Sequence, residues 1–144
     1  MLVHQILMSK SDDAVVTVPP ETTIAAAAKT LAERRIGTVV VSPDGHKAHG
    51  ILSERDIVRE LAKRGGSMLT DTVEKYMTSK LVTCGRDDKA DAVLQLMTDG
   101  RFRHMPVLED GELVGLITLG DVVKARLTEL AMEKDALEGM IMGH

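Results

Sequence analysis

Two heptapeptides in this chain close an apolar run on a hydroxyl and place a carboxylate three residues later. They are Gly50-Ile51-Leu52-Ser53-Glu54-Arg55-Asp56 and Gly115-Leu116-Ile117-Thr118-Leu119-Gly120-Asp121. Past each hydroxyl the pattern turns helical, as in Asp56-Ile57-Val58 and Asp121-Val122-Val123. Such a strand-to-helix junction offers two kinds of chemistry. Ser53 and Thr118 can cap their helices while Asp56 and Asp121 complement the positive helix ends. The same groups can hold a ribose diol, with helix-terminal N–H groups donating to a phosphate. The two roles are compatible, and the residues alone leave both open.

The flanking charges differ between the motifs. The first has Arg55 inside it and Gly37 ahead of the run Thr38–Val41; the second has Gly120 inside it and Arg103 ahead of His104–Leu108. The basic residue has changed places. This predicts two non-equivalent clefts, one meeting a phosphate with Arg55 and the other with Arg103 and His104. One cleft would take a smaller phosphorylated ligand and the other a larger one. The plainer role of both arginines is solvated surface charge. An adenine ring would need an apolar slot, offered by Val16, Val18, Ile36 and Val40 or by Val82, Cys84, Met105 and Pro106. Thr17, Thr38 and Thr83 complete the candidate set, and ordinary core packing is the competing role of the apolar members.

Catalytic and metal chemistry find little support. Cys84 has only His104 as a base within reach of the repeat, with no third group to orient it. It reads as a small buried hydrophobe. Ser53 lies in Gly-Ile-Leu-Ser-Glu, which is not a nucleophile elbow. His46 and His49 flank a turn, and a single cysteine makes a structural zinc site unexpected. No phosphate-loop or dinucleotide glycine pattern occurs. We expect no enzyme activity.

The elements that must position these residues follow from an internal repeat. Val15–Leu61 and Leu81–Leu127 match: Thr17 with Thr83, Val41 with Val107, Asp44-Gly45 with Asp110-Gly111. One residue of slip later, Gly50, Ser53 and Asp56 match Gly115, Thr118 and Asp121. The lead-ins correspond as well, Val3, Ile6 and Leu7 answering Val73, Tyr76 and Met77. Each copy reads as a short strand (Val15–Val18, Leu81–Cys84), a helix (about Thr23–Arg34, Lys89–Asp99), two strands across an Asp-Gly turn, and a second helix. At roughly 50 to 60 residues, a β-α-β-β-α unit is too small to hide both faces of its sheet, so the two need one another. The expected fold is α+β, two repeats packed sheet to sheet as a pseudo-two-fold pair with a C-terminal helix. The expected division is 1–64 for the first repeat, 65–127 for linker and second repeat, and 128–144 for a helical tail.

The Gly-x-x-Ser/Thr-x-x-Asp motif in both copies, Met77-Thr78 and the Met105-Pro106-Val107 run resemble the cystathionine-β-synthase (CBS) domain, and the chain resembles a tandem CBS pair. The likeness spans about Met1 to Leu127; the first copy departs from it at Val40, where the pattern has proline. What the resemblance implies is a regulatory module without catalysis. Asp56 and Asp121 would bind ribose, and Ser53 and Thr118 would lie near ribose or phosphate. The ligand would be an adenine nucleotide, AMP first, with ATP, ADP, NAD(H) or S-adenosylmethionine as the other choices. Side-by-side homodimers are common in the family, so a homodimer whose shape change is read by an effector protein is expected. A dimerisation or interaction module that needs no ligand is the alternative.

Composition narrows the partners. With 18 Lys+Arg against 22 Asp+Glu the net charge is −4, which lacks the basic footprint of a nucleic-acid binder. Tyr76 and Phe102 are the only aromatics, too few to stack bases along a strand. No apolar run is long enough for a membrane span, and MLVHQILMSK does not read as a secretory signal. One cysteine fits a reducing compartment, so a cytoplasmic location is expected. In the tail, Val123, Leu127, Leu130, Lys134, Leu137 and Ile141 step by 4, 3, 4, 3 and 4, a short heptad seam with one polar member. That seam can brace a dimer, fold back on its own chain or dock on a partner.

Overall fold

The computed structural model describes residues 1–10 and 15–142; Gly143 and His144 of the expected tail lie outside the described residues. The first repeat runs β1 (Thr17–Val18), α2 (Ile24–Arg34), β2 (Thr38–Val41), β3 (Gly50–Ser53) and α3 (Glu54–Arg64), preceded by α1 (Val3–Ser9). After a short 3-10 turn, Gly66–Thr70, the second follows with α4 (Val73–Tyr76), α5 (Ala90–Gly100), β4 (His104–Glu109), β5 (Glu112–Thr118) and α6 (Leu119–Ile141). The α2 helix begins where Thr23 accepts from the Ala26 N–H at 3.2 Å. Both α2 and α5 end on an arginine in the left-handed region, Arg35 (φ 54°) and Arg101 (φ 56°).

The strands pair as the repeat requires. β1 lies parallel to β2, with Thr17 opposite Val40, and β2 lies antiparallel to β3. In the second copy β4 and β5 are antiparallel, and the expected strand Leu81–Cys84 shrinks to one parallel bridge, Cys84 to Val107. The two Asp-Gly turns also differ. Asp110 (φ 53°) and Gly111 (φ 80°) close a tight hairpin, since β4 ends at Glu109 and β5 begins at Glu112. In the first copy residues 42–49 intervene, because Pro43 has no N–H for the ladder and the Asp44 carboxylate captures the His46 and Lys47 N–H groups at 2.8 and 3.0 Å.

Two cores result, and each contains a lead-in from the other repeat. Val3, Ile6 and Leu7 of α1 pack with Val93, Met97, Met105, Val107 and Ile117 of the second repeat. Met68 and Val73, ahead of the second repeat, pack with Ile24, Leu31, Val39, Leu52 and Ile57 of the first. Backbone bonds hold the exchange on both sides: Val3 N–H donates to Asp88 O at 2.9 Å, and Val73 N–H to Thr22 O at 2.8 Å. The motif glycines make room for it. A Cβ on Gly50 would overlap the side chain of Met77, and one on Gly115 would fall 2.8 Å from Leu7 Cδ1.

Between the cores the two sheets meet. Alternation along β2 sends Thr38 and Val40 away from the core that holds Val39 and Val41. Val40 is fully buried all the same, and the Thr38 hydroxyl lies 3.1 Å from His104 Nε2 in the other sheet. Thr38 and His104 are equivalent positions of the repeat, so this contact marks the pseudo-two-fold axis. The fold is the expected α+β pair with its C-terminal helix.

Candidate functional site

Both hydroxyl–carboxylate pairs cap their helices. Asp56 N–H donates to Ser53 Oγ at 3.2 Å, and Ser53 N–H to Asp56 Oδ2 at 2.9 Å. The same reciprocal pair joins Thr118 and Asp121, at 3.1 and 3.0 Å. The first N–H of each helix is also taken: Glu54 N–H donates to Gly37 O and Leu119 N–H to Arg103 O, both at 2.8 Å. Two of the helix-terminal N–H groups at each end are thus already taken, so fewer are left for the phosphate expected there. Side chains are then needed to meet an anion here.

Those side chains are present. A cavity of about 820 Å³ lies against the start of α3, lined from one repeat by Gly37, Ser53, Arg55, Asp56 and Arg59 and from the other by Lys80, Val82, Arg101, Arg103, His104, Thr118 and Gly120. Arg59 pairs with Asp56 Oδ1 at 2.9 Å. Among the described residues Arg55, Lys80, Arg101 and Arg103 have no ion-pair partner. The lining therefore holds five cations against the two carboxylates Glu54 and Asp56.

The expected division into an Arg55 cleft and an Arg103 cleft is thus corrected: both arginines line one cavity. The pseudo-two-fold supplies the reason. It carries the motif of one repeat beside the pre-strand residue of the other, so position 55 shares a wall with position 103, and 120 stands in the same relation to 37. Exchanging a basic residue between those places brings both arginines to one part of the cavity wall, and the two glycines also line the cavity. The asymmetry therefore lies within one cavity, whose lining includes both arginines and both glycines.

Asp121 is set apart from this cavity. It lines a separate space of about 450 Å³ with Ile6, Ser9, Lys10, Lys124 and Thr128, between α1 and α6. Lys10 Nζ sits 2.9 Å from its Oδ2 and 3.1 Å from Leu116 O. Burial works to raise the Asp121 pKa, but Lys10 and the Thr118 N–H and hydroxyl outweigh it and hold the carboxyl below its usual range.

Much of the expected adenine slot is core. Val18, Val40, Cys84 and Met105 are 7, 0, 5 and 0 % exposed and present almost no surface. Pro106 and Thr38 are buried, while Val16 and Ile36 pack against the first core and Thr17 is half-buried. Thr83 is exposed outside the cavity, and only Val82 of the apolar eight lines it. Sequence reasoning missed Lys80, Arg101, Leu81 and Phe102, which all line it. The repeat offset could have found two of them, since Lys80 answers Lys10 and Arg101 answers Arg35.

Burial, with Asp88 nearby, pushes the Cys84 thiol up to about 12, so it carries no thiolate chemistry. The His104 pKa is lowered by burial and by Arg103, leaving a neutral ring for the Thr38 contact. Among the described residues no group of three or more His, Cys, Asp or Glu is placed to hold a metal ion, and no helix is long and apolar enough to cross a membrane.

A family model described as the CBS domain matches residues 3–63 and again 73–128. The chain belongs to the CBS-domain family. A mitochondrial CBS domain-containing protein of Arabidopsis thaliana is 35 % identical over 125 residues, covering 84 % of this chain and 61 % of its own length. The chain thus spans less than two thirds of that relative. Among solved structures, a CBS-domain containing protein from Agrobacterium tumefaciens is 42 % identical with a TM-score of 0.82, covering 88 % of this chain and 99 % of its own. The CBS domain pair of another protein, solved in complex with 5-methylthioadenosine and S-adenosyl-L-methionine, is 26 % identical with a TM-score of 0.77 and covers 90 % and 98 %. The last of these structures holds two adenosine ligands.

Proposed function

We propose that this CBS pair is a sensor that binds an adenine nucleotide in the cavity beside Asp56. The observation that carries this reading is the convergence there of Arg55, Lys80, Arg101 and Arg103, none with an ion-pair partner among the described residues. Four unneutralised cations repel one another, and a phosphate relieves that repulsion with charge-assisted hydrogen bonds. Asp56 then takes the ribose diol in place of Arg59, whose side chain is 52 % exposed and has Glu60 3.7 Å away as a second partner. The adenine packs on the apolar wall of Ile51, Leu81, Val82 and Phe102. AMP is the first choice, with ATP and NAD(H) next. The sulfonium of S-adenosylmethionine adds a positive charge to a positive site and ranks last.

The output passes through a homodimer to an effector protein in the cytoplasm. In support, the α6 seam faces solvent rather than its own chain: Val123, Leu127, Leu130, Leu137 and Ile141 are 40 to 85 % exposed, and Val58 of α3 is 66 % exposed. A second copy would cover them. Ligand that fits one arrangement of the repeats better shifts the dimer toward it.

The test is thermal unfolding of nucleotide-stripped protein with AMP, ATP, NADH, S-adenosylmethionine and 5-methylthioadenosine. At about 100 times its dissociation constant a ligand adds roughly 2.7 kcal/mol. Phosphorylated ligands are expected to raise the unfolding temperature, and the two sulfur nucleosides to do so much less. No shift with any of them would overturn the reading and leave a module that dimerises without ligand.

A further inference from the structure

The two motif carboxylates are related by the repeat, yet they stand in different company. Asp56 lines the cationic cavity, and its partner Arg59 comes from the next turn of its own helix. Asp121 is held by Lys10, which arrives from the end of the exchanged lead-in α1, 111 positions away in sequence by subtraction (121 − 10). Lys10 is also the better anchored cation. Its ammonium donates to Leu116 O as well as to Asp121, and its side chain is 23 % exposed against 52 % for Arg59.

The equivalent position in the first cleft shows what Lys10 replaces. Lys10 answers Lys80, and Leu116 answers Ile51. Ile51 O accepts from the Thr78 backbone N–H at 2.9 Å, which leaves the Lys80 ammonium free to line the cavity. Leu116 O accepts from Lys10 instead. The same lysine of the repeat thus serves the cavity in one copy and ties up strand and carboxylate in the other. The space beside Asp121 has Lys10 and Lys124 in its lining but no arginine, whereas four arginines and Lys80 line the cavity beside Asp56. Asp121 Oδ2 accepts from both Lys10 and the Thr118 N–H, so a ribose reaching this carboxylate has to compete with an anchored ammonium, whereas at Asp56 it competes with the more exposed Arg59.

We propose that Lys10 is a built-in occupant of the second ribose carboxylate, so that each chain binds one nucleotide, at Asp56. This rests on the nucleotide reading of the Asp56 cavity and sets its stoichiometry. Lys10 determines specificity by closing one of two sites that the fold would otherwise offer. Ligand arriving at Asp121 would have to displace the Lys10 ammonium from both the carboxylate and the Leu116 carbonyl.

Calorimetric titration with AMP tests it on the full chain, on Lys10→Met, on Asp121→Asn and on the double variant Lys10→Met/Asp121→Asn. Lys10→Gln serves as a second opening variant should Lys10→Met fold poorly. The native chain is expected to bind one AMP, with an affinity that Asp121→Asn alters less than twofold. Lys10→Met is expected to gain a second, weaker site, which the double variant loses again. Two sites in the native chain, a tenfold loss on Asp121→Asn alone, or a Lys10→Met that still binds one AMP would each overturn the inference. The last of these leaves the Asp56 reading intact. A native chain that binds none while Lys10→Met binds one overturns the Asp56 reading and upholds the plug. Binding by neither variant overturns both.

Discussion

Gly115→Val is expected to destabilise the fold by about 2–3 kcal/mol, the range of overpacking a closed core, even though Gly115 lies in the motif proposed to position a ligand site. A Cβ there already falls 2.8 Å from Leu7 Cδ1, and Leu7 belongs to the second core. Gly50→Val is expected to behave alike, through Met77. The effect is a packing conflict, so it should be relieved by making space. Gly115→Val combined with Leu7→Ala is expected to be less unstable than the sum of the two changes, because residues in contact do not act additively. Urea unfolding of the four proteins in the cycle checks this. Strict additivity would mean that the exchanged lead-in does not press on the motif glycine.

Asp56→Ala is expected to have the largest effect on ligand response. It removes the carboxylate half of the α3 capping box and leaves Arg59 without its 2.9 Å partner, at a cost of about 1–2 kcal/mol in stability. Losing charged hydrogen bonds to a ribose diol should weaken AMP binding by roughly one to two powers of ten. Asp56→Asn separates the two losses. Its amide oxygen can still accept the Ser53 N–H, so the cap survives while the charge toward the ribose goes. Unfolding in the absence of ligand should then stay near the native value, and AMP-dependent stabilisation should fall. Retention of the full AMP shift by Asp56→Ala would remove this carboxylate from the site.

The repeat made the architecture readable, because helix and strand patterns recur at equivalent positions and each unit is too small to stand alone. What it could not convey was which copy each lead-in serves. Val3, Ile6 and Leu7 look equally suited to either core, and only the packed chain assigns them to Met105 and Ile117 rather than to Leu52. The site was half legible for a related reason. Arg55 and Arg103 stood out as an exchanged pair, but their convergence depends on the symmetry axis through Thr38 and His104, which no local spacing encodes. Lys80 and Arg101 escaped notice because they lie outside the motif. The apolar eight were over-read: alternation along a strand turns half its residues into core, and Met105 and Cys84 went there.

The tail separates the same way. Its heptad spacing was plain, and Val122 and Ala125 are the α6 residues buried against the body. The seam itself remains exposed on this chain, so folding back is not its role here. Lys134, the polar member, lies 3.8 Å from Glu138, an exposed pair that contributes little to stability.

The most direct measurement is a titration of AMP into the native chain, Arg55→Ala, Arg103→Ala and the double variant, with stoichiometry and affinity read together. If the two arginines meet one phosphate in one cavity, all binding-competent proteins take one AMP per chain. Each single change then weakens binding about tenfold or more, and the double loses less than the product of the singles. Two sites per chain, of which Arg55→Ala removes one and Arg103→Ala the other, would contradict the shared cavity and return the arginines to separate clefts.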